Sequence, residues 1–295
     1  MGTVVCIAGK NKIAVESAIF IKKFFPNFEL IGCVNENDSG QDGWQPSFKR
    51  WCVGNNVAIK KLEQLYCISN MVFFSLEYDK ILDIKKFSTK KLFNIHFSRL
   101  PAYKGMYTAV MPILCGETVA GVTLHKIDSG IDTGDIVASS VFNIGEDWTA
   151  RDMYFKFLDL GVELFNKNFN KVSLGDFSAS PQPAKGSSYF SKHAIDFNNI
   201  SIDLNKTAYE ICQQIRAYTF KEYQLVSLFG RHVIGSEILC VRSDLIPGTV
   251  IKESSTTLDF STIDYDMRIH FDCNVDLKQF MVSVWESLLF MCYLY

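Results

Sequence analysis

The chain has 295 residues, 48% of them apolar, which is enough for one large domain or two modest ones with a buried core. Thirty Lys and Arg stand against 32 Asp and Glu, a formal charge of -2, so the whole molecule offers no electrostatic footprint for nucleic acid or an anionic membrane. Nine cysteines, odd in number and scattered without a C-x-x-C pair or a Cys/His cluster at zinc-ligand spacing, predict reduced thiols in a cytoplasmic protein and no structural metal.

In chain order, Thr3–Gly9 reads as a strand, Ile13–Phe25 as an amphipathic helix, "FELIGCVN" as a strand, Ala58–Leu65 as a helix and "MVFFS" as a strand ending near Ser75. "KLFNIHF" is the next strand, Ala109–Cys115 a short helix, "AGVTLHKI" and "DIVASSVFNI" two strands able to pair antiparallel, and Thr149–Lys171 a long helix. Strands separated by helices predict a doubly wound, mostly parallel α/β sheet. The Ser, Gly and Pro of "SLGDFSASPQPAKGSSYF" mark a linker, followed by one helix (Lys206–Ala217) and several β-rich runs. Met1 leads into an apolar strand without the features of a signal peptide, and no apolar run approaches ~18 residues, so export and membrane insertion are not expected. The closing "SLLFMCYLY" reads as a buried tail or dimer contact.

Ligands of such sheets sit beyond the carboxyl ends of the strands. Alternation puts Asn94 and His96 on one face of the strand that ends in "FNIHFSRLPAYKG". A lone histidine there is commonly a satisfied, part-buried imidazole. "HKIDSGIDTGDIV" adds Asp128 and Asp132 in a Gly-punctuated loop, where turn formation alone explains aspartates. Amide, imidazole and carboxylate at one sheet edge are nevertheless the parts that acyl transfer to an amine needs: a base, an oxyanion donor and an orienting carboxylate.

Asn-x-His, the following S-x-L-P loop with its Lys-Gly, the "GVTLHKID" strand and "IDTGDI", in this order, resemble the formyltransferase family that uses 10-formyltetrahydrofolate, over roughly Val4 to Asn166. The resemblance implies a Rossmann-like formyltransferase domain over residues 1–180 and a smaller, mostly β C-terminal domain over 181–295, the latter serving dimerisation and nucleotide contacts. It implies a catalytic triad of Asn94, His96 and Asp132, with no metal. It places the pterin against Ser75, Leu76, Glu77, Tyr78, Ile127 and Asp128, held through main-chain groups. The family's S-L-L-P is here Ser98-Arg99-Leu100-Pro101, a departure beside the triad.

Three amines take this chemistry: methionyl-tRNA, glycinamide ribonucleotide and nucleotide-linked amino sugars. The ribonucleotide enzymes resemble the first domain alone. From Ser180 onward ten Lys and Arg face thirteen Asp and Glu, the wrong sign for docking tRNA. The expectation is therefore a sugar N-formyltransferase acting on a dTDP-linked amino-dideoxysugar, dTDP-4-amino-4,6-dideoxyglucose or a 3-amino relative, for surface polysaccharide; methionyl-tRNA formylation is the alternative. Gly9, Lys10 and Asn11, beside a helix N-terminus, suit a pyrophosphate, although Lys10 reads equally as a solvated loop charge. "AYKGMYTAV" resembles the sugar enzymes, which implies sugar contacts from Lys104, Gly105, Met106, Tyr107 and Thr108. "IRAYTFKEYQ", with Arg216 and Tyr218, begins the resemblance of the second domain, where Phe220 or Tyr223 would lie under the base. Related enzymes are homodimers. Outside transferases, an inactive folate or nucleotide-sugar binder and a hydrolase of the formyl donor remain as readings.

Overall fold

A computed structural model describes residues 2–272. The elements in chain order are β1 (Val4–Gly9), α1 (Asn11–Phe24), β2 (Glu29–Val34), α2 (Phe48–Gly54), β3 (Ala58–Ile59), β4 (Met71–Leu76), β5 (Leu92–His96), β6 (Lys104–Gly105), α3 (Met111–Leu114), β7 (Val119–Lys126), β8 (Ile136–Asn143), α4 (Ala150–Leu174) and β9 (Tyr189–Phe190). There follow α5 (Ala208–Ala217), β10 (Val226–Leu228), β11 (Arg231–Ile238), β12 (Val250–Glu253), β13 (Thr257–Phe260) and β14 (Met267–Phe271). The described residues form two compact units, one of residues 2–106, 119–143 and 155–190, the other of 107–118, 144–154 and 191–272.

The first unit is built on a seven-stranded sheet in the order β3-β2-β1-β4-β5-β7-β8. β1 to β5 run parallel, and β7 and β8 are antiparallel to their neighbours. This is the doubly wound α/β architecture expected, with an antiparallel extension. β1 and β4 are buried on both faces, which is why they read as unbroken apolar runs instead of alternating ones. One face carries Cys6, Cys33, Leu65, Phe73, Phe87 and Leu92. Phe74 meets Phe165 of α4 at 4.9 Å between ring centroids, and Phe20 and Phe25 meet Phe169 at 6.2 and 4.9 Å. The order reverses between β2 and β4, on either side of β1, leaving a crevice beyond the carboxyl ends.

The helix expected over residues 58–65 is not formed. Ala58 and Ile59 pair with Ile31 and Gly32 and extend the sheet edge, and a short 3-10 turn over Leu62–Gln64 turns Leu62 inward. The helix lies earlier, at α2, where Ser47 Oγ caps the Arg50 N–H and Phe48 and Cys52 share a buried face at i, i+4 spacing.

In the second unit, α5 starts at a capping box in which Thr207 and Glu210 satisfy each other's backbone N–H. Its buried Ile211 and Ile215 join Val226, Val233, Leu258, Phe260, Met267 and Ile269 of the antiparallel sheet β10-β11-β14-β13-β12. Among the described residues no helix is long and apolar enough to cross a membrane. The apolar C-terminal run "SLLFMCYLY" falls outside the described residues.

Candidate active site

β5 ends at the edge of the crevice and is paired with β7 in antiparallel register, so that Asn94 lies opposite His125 and His96 opposite Thr123. Side chains directly opposite in such a pair share a face. Asn94, His96 and His125 therefore project together, and the loop after β7 brings Asp132 to them. Asp132 adopts the left-handed backbone conformation (φ 53°), which costs an ordinary residue about 1–2 kcal/mol. The Gln182 side chain holds the turn by donating to the Asp132 and Gly134 carbonyls, both at 2.8 Å.

The Asp132 carboxylate is the hub. Oδ1 lies 3.3 Å from Asn94 Nδ2 and 3.5 Å from His125 Nε2. Oδ2 lies 3.5 Å from His96 Nδ1 and accepts the Gly105 N–H at 2.9 Å. Gly105 has φ +81°, and a Cβ there would meet the Phe190 carbonyl at 2.3 Å, so only glycine serves at this position. Burial pushes the Asp132 carboxyl up, but charge on His96, the hydrogen bond and charge from His125 and the Gly105 N–H outweigh it, holding the group well below the usual carboxylate range.

His96 is buried with an acceptor at each ring nitrogen: Nε2 lies 2.8 Å from the Tyr103 carbonyl, Nδ1 3.5 Å from Asp132. A ring carrying both hydrogens satisfies both. The Tyr103 carbonyl is itself fixed by a left-handed residue (φ 57°), the Tyr103 N–H bond to Ser188 Oγ at 2.8 Å and stacking of Tyr103 on Phe190. The arrangement can hold a proton against a half-buried carboxylate and exchange it with a bound group.

His125 was not singled out from the sequence, although its place opposite Asn94 follows once "KLFNIHF" and "AGVTLHKI" are paired antiparallel. Its Nδ1 lies 2.7 Å from the Lys126 carbonyl and its Nε2 3.1 Å from Asn94 Nδ2.

The remaining expected residues group by strand end. Lys10 N–H reaches the Leu76 carbonyl at 3.3 Å, and a Cβ at Gly9 would meet that oxygen at 1.8 Å. Asn11 and Glu77 both have left-handed backbones (φ 61° and 58°) and pair through Asn11 Nδ2 and Glu77 Oε2 at 3.3 Å. Asn35 Nδ2 holds the Glu77 carbonyl at 2.9 Å. Ser75 is buried, and Tyr78 and Ile127 pack on one apolar cluster. Asp128 is taken up by its own loop, accepting from Gly130 N and Thr133 Oγ1. Burial pushes the Asp79 carboxyl up against the pull of Lys10 and Lys80, which puts Lys10 within reach of that carboxyl's field. Lys104 Nζ reaches Ser187 Oγ at 3.0 Å, and Met106 N–H the Phe190 carbonyl at 2.8 Å. Arg99, where the family pattern has Leu, is exposed.

Tyr107, Thr108 and Phe220 belong to the second unit. Tyr107 donates to the Lys192 carbonyl at 2.6 Å and meets Phe197 edge-on, while Thr108 is half-buried. Phe220, 6% exposed, packs between Tyr154 and Tyr223, whereas Tyr223 itself is half-buried. Among the described residues no cluster of His, Cys, Asp and Glu is arranged to hold a metal ion.

Residues 77–168 match the formyl transferase family, a span running from Glu77 through the triad into α4. Among curated proteins, the methionyl-tRNA formyltransferase of Coxiella burnetii is 26% identical over 217 residues, 70% of this chain and 67% of its own. Among solved structures, the N-formyltransferase from Helicobacter canadensis, in complex with folinic acid and dTDP-3-aminofucose, is 40% identical (TM-score 0.82) over 90% of this chain and 98% of its own. WlaRD, a sugar 3N-formyl transferase seen with dTDP and 5-N-formyl-THF, is also 40% identical (TM-score 0.84), over 93% of this chain and 99% of its own. Identity of that order, sustained over almost the whole of both chains and through the Asn94–Asp132 segment, means that the chain belongs to the formyltransferase family.

Proposed function

We propose that the protein moves a formyl group from 10-formyltetrahydrofolate to the amine of a dTDP-linked amino-dideoxysugar, with Asn94, His96 and Asp132 around the reacting atoms. The observation that carries the reading is the convergence of His96, Asn94 and the Gly105 N–H on one half-buried carboxylate beside the end of β5. The two relatives at 40% identity are a 3N-transferase and an enzyme holding a 3-amino sugar, which favours a 3-amino sugar over the 4-amino isomer.

The formyl donor, when bound, supplies a carbonyl carbon on a nitrogen that departs as an amine once protonated. The residues fit such a group. Asp79 Oδ1 and Gln182 Oε1 are buried oxygens without a partner, next to the two segments expected to hold the pterin, and acceptors suit its N–H-rich edge. Ser75–Tyr78, Ile127 and Asp128 would hold it, with Tyr78 and Ile127 giving the apolar wall.

His96, carrying both hydrogens, gives one to the departing nitrogen and takes one from the attacking nitrogen, ending in its starting state. Its Nε2 must leave the Tyr103 carbonyl to do so. Asp132 keeps the ring oriented and balances its charge. No covalent enzyme intermediate is required. Lys10 and Asn11 would hold the pyrophosphate, and Lys104 the sugar side of the site.

The test is the absorbance change on tetrahydrofolate release, with dTDP- and UDP-linked 3-amino and 4-amino deoxysugars, free amino sugars, Met-tRNA and buffer as acceptors. Turnover confined to a dTDP-amino sugar is expected. Turnover with Met-tRNA alone, or in buffer alone, would replace this reading with the tRNA enzyme or a hydrolase.

A further inference from the structure

The Ser, Gly and Pro segment expected to be a linker touches both loops that meet at the Asp132 carboxylate. At its start, Ser180 exchanges two main-chain hydrogen bonds with Ile136, at 2.8 and 2.9 Å, which fixes it beside the first residue of β8. Two residues on, Gln182 Nε2 donates to the Asp132 and Gly134 carbonyls. At its end, β9 pairs with β6, and the Ser188 carbonyl accepts the Lys104 N–H at 3.0 Å. That pairing sets the Gly105 N–H which Asp132 Oδ2 accepts. The intervening residues 183–187 are exposed, so the segment is held at its two ends.

The Gln182 amide has one orientation. Both neighbours of its nitrogen are carbonyl oxygens, which only accept, and turning the amide over would set oxygen against oxygen twice. Its two hydrogens are therefore spent on the turn that carries Asp132 in the left-handed region, a conformation that persists only where neighbours over-determine it. Were that turn to relax, Asp132 Oδ2 would leave His96 Nδ1, the Gly105 N–H or both.

We propose that Gln182 is a positioning residue of formyl transfer: by tying the Asp132 turn to the segment whose other end fixes Gly105, it keeps the carboxylate aimed at His96. Its N–H groups act on the reaction only through Asp132. The role rests on the formyl-transfer reading above.

Two measurements test it. Hydrogen exchange read by NMR, without substrates, should show the Gly105 amide exchanging about tenfold faster in Gln182→Leu than in wild type, with the amides of β1 and β4 unchanged. Unchanged exchange at Gly105 would overturn the role without reference to catalysis. Equal acceleration throughout the sheet would do the same, since it marks a loss of global stability and not a released carboxylate. In kinetics at saturating folate, Gln182→Leu should lower kcat by about 10²-fold and leave KM for the nucleotide sugar unchanged, the cost of a misplaced catalytic group. In an Asp132→Asn background the same change should cost less than about twofold, because the group it acts through is already gone. An equal loss in both backgrounds would overturn the positioning role. An active enzyme whose Gln182→Leu variant keeps the wild-type kcat would overturn this role alone, whereas an enzyme inactive toward every amine would overturn the formyl-transfer reading and the role with it.

Discussion

The carboxylates of Asp259 and Asp132 are both held by nitrogen donors, and they differ in how tightly. Asp259, on β13, takes Arg268 of the adjacent β14 in a fork, Oδ1 at 2.6 Å and Oδ2 at 2.9 Å, and Arg268 Nη1 also reaches Glu237 of β11 at 3.3 Å. The Arg268 hydrogen bonds lead the causes that lower the Asp259 carboxyl. That pair is short, bidentate and directly cross-strand. Asp132 instead faces two imidazoles at 3.5 Å and an amide at 3.3 Å, from a strained backbone. Saturated short contacts leave nothing for a ligand, whereas loose ones around a buried charge can tighten on binding. The first arrangement holds a sheet together and the second is poised for chemistry.

The sharpest break of that comparison is at the hub. His96→Asn should lower kcat by about 10³-fold while the folate still binds, the range of a lost acid–base group. Substantial residual turnover would remove His96 from the proton path. Asp132→Asn should cost a similar factor and also change the acid side of the stability curve. Because the folded carboxyl is held below its ordinary value of 3.8, its stabilising contribution is complete above that value and is lost as pH falls through the folded one. Urea midpoints measured from neutral to acid pH should therefore converge for wild type and Asp132→Asn at the acid end.

Arg268→Ala should do the reverse, lowering the urea midpoint by stranding Asp259, with kcat unchanged. A fall in kcat without a fall in urea midpoint would erase the distinction drawn between the two carboxylates. The smallest expected effect is at Lys10, where Lys10→Ala should raise KM for the nucleotide sugar and spare that of the folate; an unchanged KM would leave Lys10 in solvent.

The sheet was legible because β1 and β4 are long, unbroken apolar runs between helical patterns. α2 was not, because only Phe48 and Cys52 face inward over its seven residues, too few to mark a period. Asn94, His96 and Asp132 were legible as types and order. His125 was not, because its meaning comes from antiparallel register across β5 and β7, a relation between segments and not within one. Tyr103 was missed for a related reason: what acts there is a carbonyl, which no side-chain pattern announces. The left-handed backbones of Asn11, Glu77, Tyr103 and Asp132 likewise become visible only in three dimensions, and strain of that kind gathers at functional sites.

The most direct test of the central claim is to supply donor with an isotopically labelled formyl carbon and a dTDP-linked 3-amino-dideoxysugar, and to follow the label by NMR with wild type and His96→Asn. The account predicts a labelled formamide on the sugar nitrogen with wild type and almost none with the variant. Label released as free formate with wild type, or formamide formed equally by both proteins, would contradict it.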